Sequence, residues 1–265
     1  MRLLGCYGAW TMALLLGAIS GVQADSMKPT TLKILSFNIL HGATTANTFD
    51  LDHIAKVIAD VDPDLVALQE VDFKTRRARG YDLATELGQR TKMASVFAKA
   101  MDHDGGEYGE AILSRYSFES TRRIMLPYTE GHEPRAAVSA TVRLPGGELL
   151  TFMGTHLDHE SQADREAQAT ALNQEAAPIT HPIILAGDFN ATPESKTISI
   201  LKNFWTVACG ENPPPTFPSD DPKIKIDYVM FAPSERWSVV ETQVLQDSVA
   251  SDHCAYLVTL TLSAP

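Results

Sequence analysis

Residues 184–193, ILAGDFNATP, set an aspartate and an asparagine two positions apart directly after an apolar run. The run reads as a buried strand, PIILAGD over 182–188, and it ends in Gly187, Asp188, Phe189 and Asn190, where polar side chains are expensive to hide. The end of this strand is therefore a place to look for chemistry.

Toward the N-terminus, short apolar runs alternate with helical patterns. LKILSFNIL reads as a strand, LDHIAKVIADV as an amphipathic helix, LVALQEV as a strand and YDLATELGQRT as a helix. That rhythm predicts layered α/β packing. The middle supplies strands in succession, GEAILSR, RAAVSATVRL and ELLTFMGTHL, with PGG at 145–147 as a hairpin turn, so antiparallel pairs join the parallel ones and the sheets are mixed. A helix from Ser161 to about Ala177 precedes the 182–188 strand. After a Pro-rich loop at 213–222 come KIDYVMF, WSVVETQVL and CAYLVTLTL. The repeated order of strand, helix and strands is compatible with two sheets stacked face to face with helices outside, in a single domain over 25–265.

The 265 residues are 44% hydrophobic, enough for a sizeable core. The first 24 read as a secretory signal peptide: Arg2, an apolar stretch through GAWTMALLLGAISGV, and a small-x-small cleavage pattern ending at Ala24. A retained anchor is the rival reading, but the stretch falls short of the roughly 20 residues that span a bilayer. The expected location is secreted or periplasmic. Cleavage removes Cys6 and leaves Cys209 and Cys254, either as a disulfide or as two buried thiols. A net charge of −11 disfavours nucleic acid as a partner, because nonspecific affinity for it comes from Lys and Arg neutralising phosphates. KTRRARG at 74–80 is the dense basic cluster, either a solvated loop or a clamp for an anionic substrate.

Further strands end in residues a core would not choose: Asn38 in ILSFNIL, Glu70 in VALQEVD, and His156 in FMGTHLD. SDH at 251–253 precedes the final strand, and Asp227 interrupts KIDYVMF. Singly these have structural explanations, Asn38 as a turn residue, Glu70 as a strand-end charge, Asp188 as a helix cap. If the strand ends gather at one edge of the stacked sheets, carboxylates, carboxamides and two histidines converge there. Oxygen ligands without thiolates suit a hard cation such as Mg²⁺ or Mn²⁺, with Glu70, Asp252 and the amide oxygen of Asn38 as natural ligands. Asp227 and His253 suit an acid that orients an imidazole. His156 and Asn190 suit hydrogen bonding to phosphate oxygens, and Asp188 suits holding or deprotonating an attacking water.

SFNI, LQEV, AILSR, THLD, GDFN, IDYV and SDH, in that order over Leu32 to about Leu262, resemble the signature blocks of the endonuclease/exonuclease/phosphatase superfamily. The resemblance implies a four-layer α/β sandwich of the DNase I-like kind, two stacked mixed sheets flanked by helices. It also implies divalent-metal hydrolysis of a phosphate ester by an in-line water. On the matching blocks it assigns Asn38, Glu70 and Asp252 to the metal (Mg²⁺, or alternatively Mn²⁺). It assigns His156 and Asn190 to phosphate, Asp188 to the water, and Asp227 with His253 to an acid–imidazole pair. EVDFKTRRARGYD, GGEYGEAILSR and EPRAAV look like a branch of bacterial secreted or envelope members, which places Arg76, Tyr108 and Arg135 at the pocket as substrate-binding residues.

The expectation is a secreted, monomeric phosphodiesterase or phosphatase with a small-molecule or lipid-headgroup substrate. The alternatives are a metal-dependent nuclease and, from a different class, a noncatalytic binding module on the same scaffold. NFWTV at 203–207 and PPPTFP at 213–218 are candidate loops for peripheral membrane contact, or else packed core and rigid turn.

Overall fold

The computed structural model describes residues 29–210 and 213–264. The expected signal peptide and Cys6 lie outside the described residues. In chain order the elements are β1 (Thr30–Asn38), α1 (Leu51–Val61), β2 (Leu65–Phe73), α2 (Leu83–Thr91), β3 (Ala94–His103), β4 (Gly106–Ser114), β5 (Phe118–Met125) and β6 (Ala136–Arg143). The second half has β7 (Leu149–His156), α3 (Gln162–Ala176), β8 (Ile183–Asp188), α4 (Lys196–Leu201), β9 (Thr206–Val207), β10 (Asp227–Ala232), β11 (Trp237–Leu245) and β12 (Ala255–Leu262).

Two six-stranded sheets result, ordered β11-β12-β1-β2-β4-β3 and β5-β6-β7-β8-β10-β9. Each has one parallel pair, β1 with β2 and β7 with β8, among antiparallel neighbours. Between the sheets lies a core that includes Ile34, Leu65, Ile112, Val138, Phe152, Ile184 and Val229. On the outer face of the first sheet, Leu35, Phe37 and Val66 meet α1 and α2; on that of the second, Leu185 and Met230 meet α3 and α4. This is the expected DNase I-like sandwich.

The helices follow from local chemistry. Asp50 caps α1 by accepting from the His53 amide, and Leu51, Ile54, Ala55 and Ile58 repeat at helical spacing to give the buried stripe. Ser161 caps α3 by accepting from the Asp164 amide at 3.2 Å. The β6–β7 hairpin turns where PGG predicts it, with Gly147 at φ 86°, a conformation that favours glycine.

The sandwich also decides several open readings. Cys209 and Cys254 are free thiols. Trp205 is buried and Phe204 packs against the α3–α4 core, so the aromatic pair of NFWTV belongs to the core, while Asn203 and Thr206 are exposed. Phe217 of PPPTFP stacks at a tilt on the His253 ring, centroids 4.8 Å apart. Among the described residues no helix is long and apolar enough to cross a membrane.

Candidate active site

β1 and β2 run parallel, as do β7 and β8, so their C-terminal ends reach the same rim, where β10 and β12 begin. Strand register then fixes the neighbours: His156 pairs with Asp188, and Asp188 with Asp227. Asn38, at the end of β1 in the other sheet, reaches across and donates from Nδ2 to Glu70 Oε1 at 3.1 Å and to Asp188 Oδ2 at 3.4 Å.

Local backbone turns these groups inward. Glu70 sits at a bulge in the β2–β4 ladder, between Leu68 and Val71, with φ 58°. The extra residue takes its carboxylate out of the pleat, a use of bulges common beside active sites. Asn190 has φ 47° and donates its amide to Asp188 Oδ1 at 2.9 Å, closing an Asx-type turn at the strand end. Leu40 and His41, after Asn38, also have positive φ. Left-handed backbone at non-glycine residues costs free energy, and Leu40, His41, Glu70 and Asn190 carry it at this rim.

Asp188 is the hub. Its Oδ2 lies 3.4 Å from His156 Nε2 and 3.5 Å from His253 Nε2, besides the Asn38 amide. His253 Nδ1 is 3.2 Å from both carboxylate oxygens of Asp227. Ser251 Oγ donates to the Asn38 carbonyl at 2.7 Å and accepts from the His253 amide at 3.2 Å, which ties the segment before β12 to the end of β1. These residues line, or sit behind, a cavity of about 340 Å³ that also exposes Glu70 and Asp252.

Burial and charge divide the labour. Burial pushes the Asp188 carboxyl up, to about 7, with Asp227 adding to the rise and His253 opposing it. Burial disfavours the His253 cation, but Asp227 and Asp188 outweigh it and raise the ring to about 10. His156 goes the other way: burial first, then the Arg135 guanidinium, push it well below the ordinary histidine value. Burial also presses Glu70 upward, but His41, whose Nδ1 lies 3.5 Å from Oε2, the Asn38 amide hydrogen bond and the nearby rings His156 and His253 hold it at about 2. The site therefore keeps one firmly ionised carboxylate, one imidazole biased to the cation and one biased to neutral.

An ionised Glu70 facing Asp252 across a cavity with no thiolate among its lining residues is the donor chemistry a hard divalent cation requires. Asp188, Asp227 and His253 also bring ligand atoms within 4.8 Å of one another. Their hydrogen bonding, imidazole to the Asp227 carboxylate through Nδ1, marks them as an acid–imidazole pair beside a second acid, Asp188.

Of the residues expected to bind substrate, Tyr108 and Arg135 line the cavity and Arg76 does not. Arg76 is 81% exposed and pairs outside with Asp104 Oδ1 at 2.9 Å. Its neighbour Arg77 takes the place: both ends of its guanidinium donate to the buried Asp72, at 2.7 and 2.8 Å, and its plane lies over the Tyr108 ring at 5.5 Å. The basic cluster is thus split, with Arg77 at the cavity, Arg76 on Asp104 and Arg79 over Phe49. His41, His103, Glu133 and His159 also line the cavity without a prior signal. They stand in turns and at a hairpin end, where periodicity carries no information. For His41, proximity to Asn38 in sequence was the one available hint.

With sheets, rim and hub in place, the class is that of a phosphoesterase-like sandwich. Residues 35–253 match the family model described as "Endonuclease/Exonuclease/phosphatase family", and the chain belongs to that family. Its members hydrolyse phosphoric esters with a divalent metal. The chain is 26% identical over 219 residues to nocturnin of Xenopus laevis, covering 72% of this chain and 55% of nocturnin; it spans about half the length of this curated relative. Among solved structures, a family protein from Beutenbergia cavernae superposes with a TM-score of 0.74 at 23% identity, over 88% of this chain and 72% of that one. A mannosyl-6-phosphatase from Bacteroides thetaiotaomicron superposes at 0.71 with 18% identity, over 86% and 99%. These likenesses are of fold.

Proposed function

We propose that the protein is a secreted, divalent-metal-dependent hydrolase of phosphoric esters, with a compact small-molecule or lipid-headgroup substrate. One observation carries it: Asp188 Oδ2 has an amide and two imidazoles within 3.5 Å, from both sheets, in the lining of a cavity shared with Glu70 and Asp252. Glu70, Asp252 and Asn38 would hold the cation, Mg²⁺ or Mn²⁺. When bound, it supplies positive charge against the phosphoryl oxygens.

Each residue of this chain has a task in that reaction. Asp188 orients a water and accepts its proton; a carboxyl raised toward neutrality is a stronger base than an ordinary one. Asp227 holds His253 with Nδ1–H toward itself, so Nε2–H points into the site as a charged donor. His156 and Asn190 present donors to the phosphoryl oxygens, where charge grows as the bond to water forms. The −11 charge and the modest cavity volume support a compact ester over a nucleic acid.

A panel of phosphomonoesters, phosphodiesters, phospholipids, plasmid and RNA, with Mg²⁺, Mn²⁺ or chelator, tests the reading beside an Asp188→Asn control. Metal-dependent release from a small ester, reduced about 10³-fold by the substitution, is expected. Hydrolysis of nothing, or equal rates in the control, sinks it. N-terminal sequencing of protein from a secreting host, expected to begin at Asp25, tests the signal segment.

A further inference from the structure

Arg135 immediately precedes β6, and its residue is 1% exposed. Its Nη1 lies 3.2 Å from His156 Nδ1 and 2.9 Å from Glu133 Oε1, and its Nη2 lies 3.2 Å from His159 Nδ1. A guanidinium has five N–H donors and no lone pair to offer. Any ring nitrogen that faces it within hydrogen-bond distance must be the unprotonated one. Two rings face it, each through Nδ1.

We infer that Arg135 is a positioning residue that fixes His156 and His159 as neutral rings with the hydrogen on Nε2, and so makes His156 a permanent hydrogen-bond donor toward the reacting phosphoryl group. The inference rests on the hydrolase reading above.

Three observations bear on the assignment. With Nδ1 occupied, the His156 hydrogen sits on Nε2, which points at Asp188 Oδ2, 3.4 Å away, and toward the cavity. Asn190 Nδ2 lies 3.0 Å from the same Nε2, and both it and the guanidinium cannot donate to one neutral ring, because an imidazole always keeps a proton. The guanidinium decides, since a charged donor makes the stronger bond, and the Asn190 amide keeps a second acceptor in the Leu157 carbonyl at 3.0 Å. Lastly, Arg135 has little left for a substrate: Nη1 and Nη2 are engaged, and Nε is buried without a partner among the described residues. It touches the substrate through the two histidines rather than by its own contact, which replaces the direct substrate-binding role expected from the sequence.

Tautomers are read directly by two-bond ¹H–¹⁵N correlation on histidine-labelled, metal-free protein, with no substrate present. The expected spectrum shows His156 and His159 protonated at Nε2 and bare at Nδ1. Arg135→Lys offers one ammonium to two rings. It is expected to move the His156 signals toward a tautomer mixture and to lower kcat about 10- to 100-fold, with KM changed less than about threefold. A parent spectrum with Nδ1–H at His156 overturns the inference. So does an Arg135→Lys protein with an unchanged His156 spectrum, or one whose loss falls on KM alone, as a direct substrate contact requires. Should Arg135→Lys fail to fold, the parent spectrum still decides. A parent that hydrolyses nothing yet shows both Nε2–H rings refutes the hydrolase reading and leaves the tautomer assignment standing.

Discussion

Replacing Lys225 by methionine should make the protein more stable. Lys225 is 4% exposed, two residues before Asp227, and its Nζ has no hydrogen-bond partner among the described residues. Burial lowers its pKa from 10.5 to about 7, with Asp227 and Cys209 only partly opposing that fall. At about 1.4 kcal/mol per tenfold change in proton affinity, the folded chain forgoes up to about 5 kcal/mol below pH 7; local relaxation reduces this to about 2–3 kcal/mol. The sign follows from proton counting: the unfolded lysine binds its proton more tightly, so between pH 7 and 10.5 the unfolded chain holds more protons and the parent gains stability as pH rises. Methionine fills the same space without titrating. Its advantage is full below pH 7 and fades toward 10.5. Urea melts of both proteins at pH 6.5, 8 and 9.5 measure it, and Tm at pH 6.5 should rise by about 5–10 °C. A competing term is visible in the structure, since Nζ lies 3.0 Å from the Tyr256 ring centroid and 5.4 Å from that of Tyr228, where an ammonium is attracted to the π faces. If the methionine protein is equally or less stable at pH 6.5, that attraction wins, Lys225 is charged, and the reasoning fails.

Asp227→Asn should lower kcat by about 10³–10⁴-fold while leaving the fold intact, because an amide in place of the carboxylate no longer stabilises the His253 cation; kinetics beside circular dichroism check it. Arg77→Ala should raise KM about tenfold or more, whereas Arg76→Ala, removing an exposed pair, should leave both constants within about twofold; equal effects would mean the split of the basic cluster is wrong. In metal-free protein, Glu70 contributes stability that is present above pH 4.5 and lost as pH falls through about 2, up to about 3 kcal/mol. Glu70→Gln should flatten acid unfolding across that window.

The sequence disclosed most of this molecule wherever a strand or helix has two unlike faces. LDHIAKVIADV has such faces, and α1 spans those eleven residues. At the sheet margins it read one edge strand, WSVVETQVL, which is β11, and missed others. β3 and β5 are edge strands, and β5, FESTRRIM, is exposed along most of its length, so no buried face imprints a period of two on it. The site was legible for a related reason. Asn38, His156 and Asp188 stand at strand ends and Glu70, expected at one, at a bulge inside β2; in each place a polar residue breaks an apolar run and is noticed. Arg77 could not be told from Arg76, because a turn's backbone, not a repeating period, decides which of two adjacent arginines looks inward. The Arg135–histidine contacts join positions 135, 156 and 159 through folding alone.

The chain does not finish in the sheet it was last building. After β10 it returns to the first sheet, where β12 lies beside β1 with β11 outside it, and Asp252 and His253 arrive just ahead of β12. One stretch of chain, 252–262, therefore both closes the sheet that β1 began and brings two groups to the candidate site. Removing that stretch would take away the neighbour that covers β1 and two of the residues that line the cavity, so the closure of the sheet and the wall of the candidate site stand or fall together.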